Sequence, residues 1–235
     1  MENADLAVDF AGLSTPLIAD ACIRLGVPIR TAPVGIRPVS REMRTAGHAL
    51  PARHFGSVDV FLEAFAAARP GDVLVVDNAG RLDEACVGDL TVLEAGTCGV
   101  AGLVVWGAHR DTQELQEIGL PVFSYGTCPV GPQRNDLREP EALRSIRFGT
   151  SVIGPDDVVF ADRDGVVFVP ASRVADLLAA ARTIHERERR QAEDVRRGRT
   201  LREQLEFGRY LAEQERDPSY SFRRHLRALG GAIEE

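Results

Sequence analysis

The sequence contains no lysine, because all 28 basic residues among its 235 residues are arginine. Schiff-base aldolases, enzymes that bind pyridoxal phosphate through an internal lysine, and Walker-type phosphate loops all depend on a lysine amine. The composition therefore excludes these three classes.

Other common signatures are missing as well. The sequence has no GxSxG, HExxH or GxGxxG motif and no EF-hand loop, which argues against common hydrolases, zinc proteases and dinucleotide-binding enzymes. The four cysteines are too far apart for a CxxC pair, so we expect reduced core thiols at Cys22, Cys86, Cys98 and Cys128.

Membrane and nucleic-acid features are also lacking. No run of 18 or more apolar residues occurs, and the start MENADLAVDF has neither the basic nor the apolar region of a signal peptide. The net charge is −7 at pH 7, whereas nucleic-acid binding needs a clustered basic face. We therefore expect a soluble, cytoplasmic protein with no membrane and no nucleic-acid partner.

Short β-rich runs alternate with helical segments over residues 1–170, which predicts an α/β domain. The predicted strands are 72–77, 102–106, 121–125 and 158–161, and the predicted helices are 16–25, 58–68, 89–97 and 112–118. Later residues are predicted to form helices at 172–197, with Ser172 as N-cap, at 201–216 and at 222–229. The predicted division is a domain at 1–170 and a C-terminal helical extension at 171–235.

Two segments carry candidate chemistry. The apolar strand around Val104 ends in Gly107-Ala-His-Arg-Asp111, which places a guanidinium and a carboxylate side by side. Ligands collect beyond the carboxyl ends of strands in open α/β sheets. The second segment, Gly88-Asp-Leu90, is a glycine turn that opens a helix, and its backbone N–H groups can hold a substrate carboxylate.

The local pattern leaves structural alternatives open. Asp111 with Glu114 has the D-x-x-E form of a helix N-terminus, so capping and metal binding are equally good interpretations. Asp89 likewise fits a helix cap, Arg110 a surface ion pair, and His109 a histidine with no role in binding.

Six segments within roughly residues 12–170 carry a resemblance: 14–21, 47–49, 70–77, 88–90, 107–111 and 160–170. Together they resemble the RraA-like family, which contains regulators of ribonuclease E and 4-hydroxy-4-methyl-2-oxoglutarate/4-carboxy-4-hydroxy-2-oxoadipate aldolases. The resemblance implies a swivelling β/β/α-type layered domain, assembled as a homotrimer or a dimer of trimers with active sites between subunits.

The resemblance also implies an activity, that of a metal-dependent lyase that cleaves a C–C bond of a 2-oxo acid. The reaction would be an aldol cleavage, the decarboxylation of oxaloacetate, or both. Asp111 would hold Mg²⁺ or Mn²⁺, and Arg110 and Asp89 would be catalytic. The substrate would be bound by Gly88, Asp89, Leu90, Arg110 and His109.

The C-terminal residues carry two further expectations. By the same resemblance, Glu234 or Glu235 would reach a neighbouring subunit's site. The apolar stripe Phe222, Leu226 and Leu229 predicts a helix that packs on a neighbouring protomer, with packing in its own subunit as the equal alternative.

The alternative function is a non-catalytic trimeric regulator that masks a partner such as a ribonuclease.

Overall fold

A computed structural model describes residues 1–230 of the chain. Its strands are β1 (Arg30–Thr31), β2 (Arg37–Pro38), β3 (Thr45–Arg53), β4 (Val73–Val87), β5 (Gly102–His109), β6 (Val122–Ser124), β7 (Ile146–Phe148), β8 (Ser151–Ile153), β9 (Asp157–Asp162) and β10 (Gly165–Pro170). Its helices are α1 (Asn3–Phe10), α2 (Thr15–Leu25), α3 (Asp59–Ala66), α4 (Asp89–Thr97), α5 (Thr112–Ile118), α6 (Val174–Arg196), α7 (Leu201–Gln204), α8 (Phe207–Arg216) and α9 (Phe222–Ala228).

Within the described residues, eight strands form one sheet in the order β1-β10-β9-β3-β4-β5-β6-β2, and β7 pairs with β8 in a separate hairpin. The central strands β3, β4, β5 and β6 are parallel to one another. Strands β9, β10, β1 and β2 are added in antiparallel pairs. The mixed α/β fold predicted from the sequence is confirmed.

The sheet has a buried core on each face. Leu74 and Val76 of β4 belong to a cluster with side chains of α3, α4 and α5, whereas Val73 and Val75 belong to a cluster with side chains of the hairpin and of β9 and β10. This alternation is the period of two expected for a strand that is buried on both faces. Helices therefore cover one face of the sheet, and the β7–β8 hairpin packs against the other.

The predicted helices 89–97 and 112–118 match α4 and α5 residue for residue. Two details near the C-terminus are wrong. Ser172 is not an N-cap, because it lies inside a 3₁₀ turn, Ala171–Arg173, that precedes α6. The predicted helix 201–216 is broken between α7 and α8, where Glu206 adopts a left-handed conformation with φ 46°.

Contacts between Cα atoms divide the chain into two units, residues 1–16 with 29–175 and residues 17–28 with those from 176 onward. The predicted boundary at residue 170 stays a prediction. In the second unit, the Phe222 ring packs against Phe207 and Tyr210 of α8, with ring centroids 5.7 and 4.9 Å apart. One residue of the predicted apolar stripe thus has partners within its own chain.

In the described part of the chain, no single helix has the length and apolar composition to cross a membrane. The bent pair α1 and α2 meets those two criteria only when the helices are taken together.

Candidate active site

The carboxyl ends of β4 and β5 lie side by side and carry the predicted site. Val87 pairs with His109 at the last register position of these parallel strands. The backbone N–H of Arg110 donates to the Val87 carbonyl over 3.0 Å. The structure therefore brings the turn 88–90 and the pair 110–111 together at one edge of the sheet.

Asp111 stands at the N-cap position of α5 with φ 59° and ψ 45°, a left-handed conformation in which Asp is enriched. Within the described chain, its side chain makes no capping hydrogen bond to α5. Instead, Oδ2 accepts the backbone N–H of Asp89 at 3.3 Å and lies 3.3 Å from Nε of Arg110. The capping interpretation of Asp111 is wrong, because its carboxylate contacts the start of α4.

Gly88 and Gly131 have no Cβ atoms, and their absence leaves space for the side chains of Arg110 and Asp111. A Cβ on Gly88 would lie 2.4 Å from Oδ2 of Asp111 and 3.1 Å from Nε of Arg110. A Cβ on Gly131 would lie 2.9 Å from Nη1 of Arg110. The side chains of Arg110 and Asp111 are 49% and 33% exposed, so a small molecule can reach both.

The amides at the start of α4 already have partners. The N–H of Asp89 is donated to Asp111, and the N–H of Leu90 is donated to Oδ1 of Asp89 itself at 2.7 Å. A substrate carboxylate that bound these amides would have to replace those carboxylate oxygens. Asp89 is the first residue of α4 and Gly88 is its N-cap.

A cavity of about 340 Å³ opens beside this turn. Its lining includes Gly88, Asp89, Leu90 and Arg110. The rest of the lining comes from His54, Gly56, Val58, Ala85, Cys86, Val87, Thr91 and Pro132. Burial raises the pKa of the Cys86 thiol, which disfavours the nucleophilic thiolate form.

His109 is held by side chains of the protein. Its Nδ1 lies 2.7 Å from Oγ of Ser124, and its Nε2 lies 3.0 Å from Oγ1 of Thr112. Burial lowers its pKa, an effect that the charge of Asp111 opposes. With both ring nitrogens occupied, the histidine ties β5 to β6 and to the start of α5, and its role in substrate binding stays a prediction.

A buried polar cluster behind the cavity was not predicted from the sequence. His54 follows the last residue of β3 and is 5% exposed. Its Nδ1 lies 2.9 Å from Oδ1 of Asn78, which accepts from Nη2 of Arg134 at 2.8 Å. Arg134 also donates to the buried carboxylate of Glu84, from Nε at 3.0 Å. In the sequence, His54 could have been recognised as a site residue only by its place after a parallel strand. That strand, β3, was itself not predicted.

Within residues 1–230, no group of three or more His, Cys, Asp or Glu side chains is arranged to hold a metal ion. A closed site of the structural zinc type is therefore absent from this part of the chain. A single, partly exposed carboxylate beside the cavity-lining Arg110 fits a different class of ion. Mg²⁺ takes one or two carboxylates and keeps several waters, and Asp111 meets that requirement. Glu234 and Glu235 lie outside the described residues.

Comparisons with known proteins agree with this architecture. Residues 15–168 match the model of the RraA-like family, described as Aldolase/RraA. A protein of Halalkalibacterium halodurans, provisionally named 4-hydroxy-4-methyl-2-oxoglutarate aldolase, is 29% identical over 219 residues, which are 92% of this chain and 97% of the relative.

Solved structures give the same result. An uncharacterized protein of Pseudomonas syringae superimposes with a TM-score of 0.72 at 26% identity, over 84% of this chain and 95% of its own. Streptomyces coelicolor RraAS2, an unusual member of the RNase ES inhibitor RraA protein family, gives a TM-score of 0.69 at 27% identity, over 79% of this chain and 94% of its own. The resemblance seen in the sequence is confirmed, and the chain belongs to the RraA-like family.

Proposed function

We propose that the protein is a divalent-metal-dependent carbon–carbon lyase for 2-oxo acids, acting as a 4-hydroxy-2-oxo acid aldolase, an oxaloacetate decarboxylase, or both. The observation that carries the proposal is the Arg110–Asp111 pair, which two glycines accommodate beside the cavity. The provisional aldolase name of the Halalkalibacterium relative supports the same chemistry.

Asp111 would hold Mg²⁺ or Mn²⁺ together with waters. When bound, the ion supplies positive charge beside the keto oxygen and carboxylate of a 2-oxo acid. Arg110 adds a guanidinium, which stays protonated and can donate to two oxygens at once. Such a donor is worth about 3–4 kcal/mol where negative charge develops as the C–C bond breaks.

The turn at the start of α4 completes the binding side of the cavity. Gly88 and Leu90 contribute backbone that can contact the substrate carboxylate once the Asp89 side chain turns away from the Leu90 amide. The Asp89 carboxylate then accepts a hydrogen bond from the substrate hydroxyl or from a water beside it. The proposal includes a cytoplasmic location and assembly as a homotrimer or a dimer of trimers.

Metal removal tests the proposed function. Treatment with EDTA is expected to abolish oxaloacetate decarboxylation and aldol cleavage, and added Mg²⁺ or Mn²⁺ should restore both. The reason is that Asp111 provides a coordinating oxygen but no electrophile of its own. Release of pyruvate from each substrate is measured, with metal content determined on the same samples. Full activity in a demonstrably metal-free sample would refute the proposal.

Replacing Gly88 with alanine is expected to lower kcat/KM for both reactions by about 10- to 100-fold, because the new Cβ overlaps the Asp111 carboxylate and small misplacements are costly in catalysis. Its φ of −140° and ψ of −171° suit alanine, so the free energy of unfolding should change by less than about 1 kcal/mol. Steady-state kinetics and urea unfolding measure the two effects.

The matched control is Gly96→Ala in the same helix, where no atom lies within 4 Å of the added Cβ. It should keep its kinetics and gain about 0.5–1 kcal/mol of stability. Equal kcat/KM in the two variants would show that the close approach at Gly88 has no catalytic role.

The regulator alternative also has support, because RraAS2 belongs to a family of RNase ES inhibitors. A purely masking protein would inhibit a ribonuclease without metal and would not turn over a 2-oxo acid. Metal-dependent release of pyruvate therefore separates the two functions.

A further inference from the structure

The His54 ring has one nitrogen committed to the protein interior. Asn78 Oδ1 lies 2.8 Å from Nη2 of Arg134, and a guanidinium only donates, so that atom of the amide is an acceptor. The 2.9 Å contact from His54 Nδ1 to the same oxygen then requires a proton on Nδ1. The longer 3.4 Å contact from Arg134 to Nδ1 is secondary to it. In the neutral ring, Nε2 therefore carries the lone pair.

The other nitrogen of His54, Nε2, is the one left for the cavity, because His54 lines it and Nδ1 contacts Asn78 and Arg134. Among the described residues, two fully buried side-chain nitrogens have no hydrogen-bond partner, Asn78 Nδ2 and Arg81 Nε. His54 Nε2 is not one of these fully buried, unpaired atoms. The contacts of the ring to polar side chains are made by Nδ1, and the ring stacks on Phe61 at 5.3 Å. The side chain is 1% exposed, which suits one directional contact with a molecule in the cavity that His54 lines.

The surroundings keep this histidine neutral. Burial is the main reason that the pKa of His54 lies below the ordinary value of 6.5, and Arg134 adds to the effect. The hydrogen bond to Asn78 and the charges of Glu84 and Asp59 act in the opposite direction. The lowered pKa favours the neutral form of His54, in which one ring nitrogen has a free lone pair.

We propose that Nε2 of His54 is the base that accepts the hydroxyl proton in the aldol cleavage, an inference that rests on the proposed lyase function. As the O–H bond breaks, a bond from Nε2 to the proton forms, and the O–H electron pair becomes the new carbonyl of the departing fragment. The C3–C4 bond breaks, its electron pair forms the C2=C3 bond of the enolate, and the negative charge lies on the former keto oxygen. The imidazolium then returns the proton to C3, which restores His54 and completes the 2-oxo acid product.

Imidazole suits this role better than the carboxylate of Asp89. A neutral imidazole is ordinarily a stronger base than a carboxylate. The substrate hydroxyl then donates its one proton to Nε2 of His54, and the Asp89 carboxylate accepts from a water beside the substrate. Decarboxylation of oxaloacetate involves no hydroxyl proton, so it does not need this base, and water can protonate the enolate.

The test compares His54→Gln with the wild-type metal-loaded protein on two substrates. Aldol cleavage of 4-hydroxy-4-methyl-2-oxoglutarate should fall at least about 100-fold, the usual worth of a general base, while oxaloacetate decarboxylation should stay within about threefold. The acid limb of the aldol pH profile, placed below pH 6.5 by the lowered pKa of His54, should disappear. The control is His48→Gln, since His48 contacts the Met1 carbonyl and does not line the cavity.

Equal losses in both reactions, or no loss in either, would overturn the assignment of His54. Absence of both reactions in the wild-type protein would instead refute the lyase proposal. A second measurement does not depend on turnover. Nitrogen-15 NMR of histidine-labelled protein should show the proton on Nδ1 of His54, and a proton on Nε2 at neutral pH would contradict the proposed base.

Discussion

Replacing Asp111 with asparagine is expected to lower kcat/KM about 10³-fold or more for both aldol cleavage and decarboxylation. Asparagine keeps the shape of the side chain but removes the negative charge that would bind the divalent ion. The expected loss corresponds to about 4 kcal/mol of transition-state stabilisation, which is within the range for electrostatic catalysis by a metal ion and its partners.

The same substitution should leave the fold intact. Asp111 has φ 59° and ψ 45°, and asparagine adopts this left-handed conformation as readily as aspartate. The side chain does not cap α5, and the amide oxygen of asparagine can still accept the Asp89 N–H that Oδ2 accepts in the wild-type protein. We expect the free energy of unfolding to change by less than about 1 kcal/mol, as measured by urea unfolding.

Metal binding gives the Asp111 variant a readout separate from turnover. Calorimetric titration with Mn²⁺ should show binding to the wild-type protein and a large loss of affinity in Asp111→Asn. The control is Glu114→Gln, which removes one negative charge from the first turn of the same helix and should change neither binding nor kinetics. Unchanged kcat/KM in Asp111→Asn would mean that this carboxylate has only a structural role.

The sequence was most informative about α4 and α5, the two helices that begin at the candidate site. The limits of α4 and α5 follow from a glycine or an aspartate before each helix and a glycine soon after it. The pair Arg110–Asp111 was expected at the carboxyl end of a strand, where ligands collect in open α/β sheets. The turn 88–90 was a separate candidate in the local pattern, and only the resemblance to the RraA-like family paired it with residues 107–111.

Strand β3 shows why the rest of the site was not predicted. Its sequence, Thr45-Ala-Gly-His-Ala-Leu-Pro-Ala-Arg53, has few β-branched residues and includes glycine and proline. Pairing with β4 and β9 makes it a strand, and Pro51 is tolerated because β9 pairs only with residues 45–48. Without β3, nothing in the sequence placed His54 at the cavity.

The cluster around His54 depends on contacts between distant parts of the chain. Asn78 and Glu84 lie in the irregular half of β4, where the register against β5 shifts three times. Arg134 is 80 residues from His54 in the sequence. Spacing rules for helices and strands do not describe such a bulged strand, so only the structure shows that these four side chains meet.

Replacing Arg110 with lysine is expected to lower kcat/KM about 100-fold. Nε of Arg110 lies 3.3 Å from the Asp111 carboxylate, and the two terminal nitrogens remain available for the substrate. Lysine has a single nitrogen, so it cannot hold Asp111 and contact two substrate oxygens at once. Loss of one well-placed donor to a developing negative charge costs a factor of about 10²–10³.

Stability should hardly change in the Arg110 variant, because an exposed ion pair contributes at most about 1 kcal/mol. The matched control is Arg144→Lys, at a side chain that is 79% exposed and pairs with Glu141, and it should keep its kinetics within about twofold. Since the natural chain has no lysine, Arg110→Lys introduces its first side-chain amine. Residual activity that borohydride and pyruvate together inactivate would therefore indicate a new Schiff-base reaction, and only activity that survives this treatment measures the loss of the guanidinium. Full activity that survives it would show that Arg110 is a surface ion-pair partner and not part of the catalytic machinery.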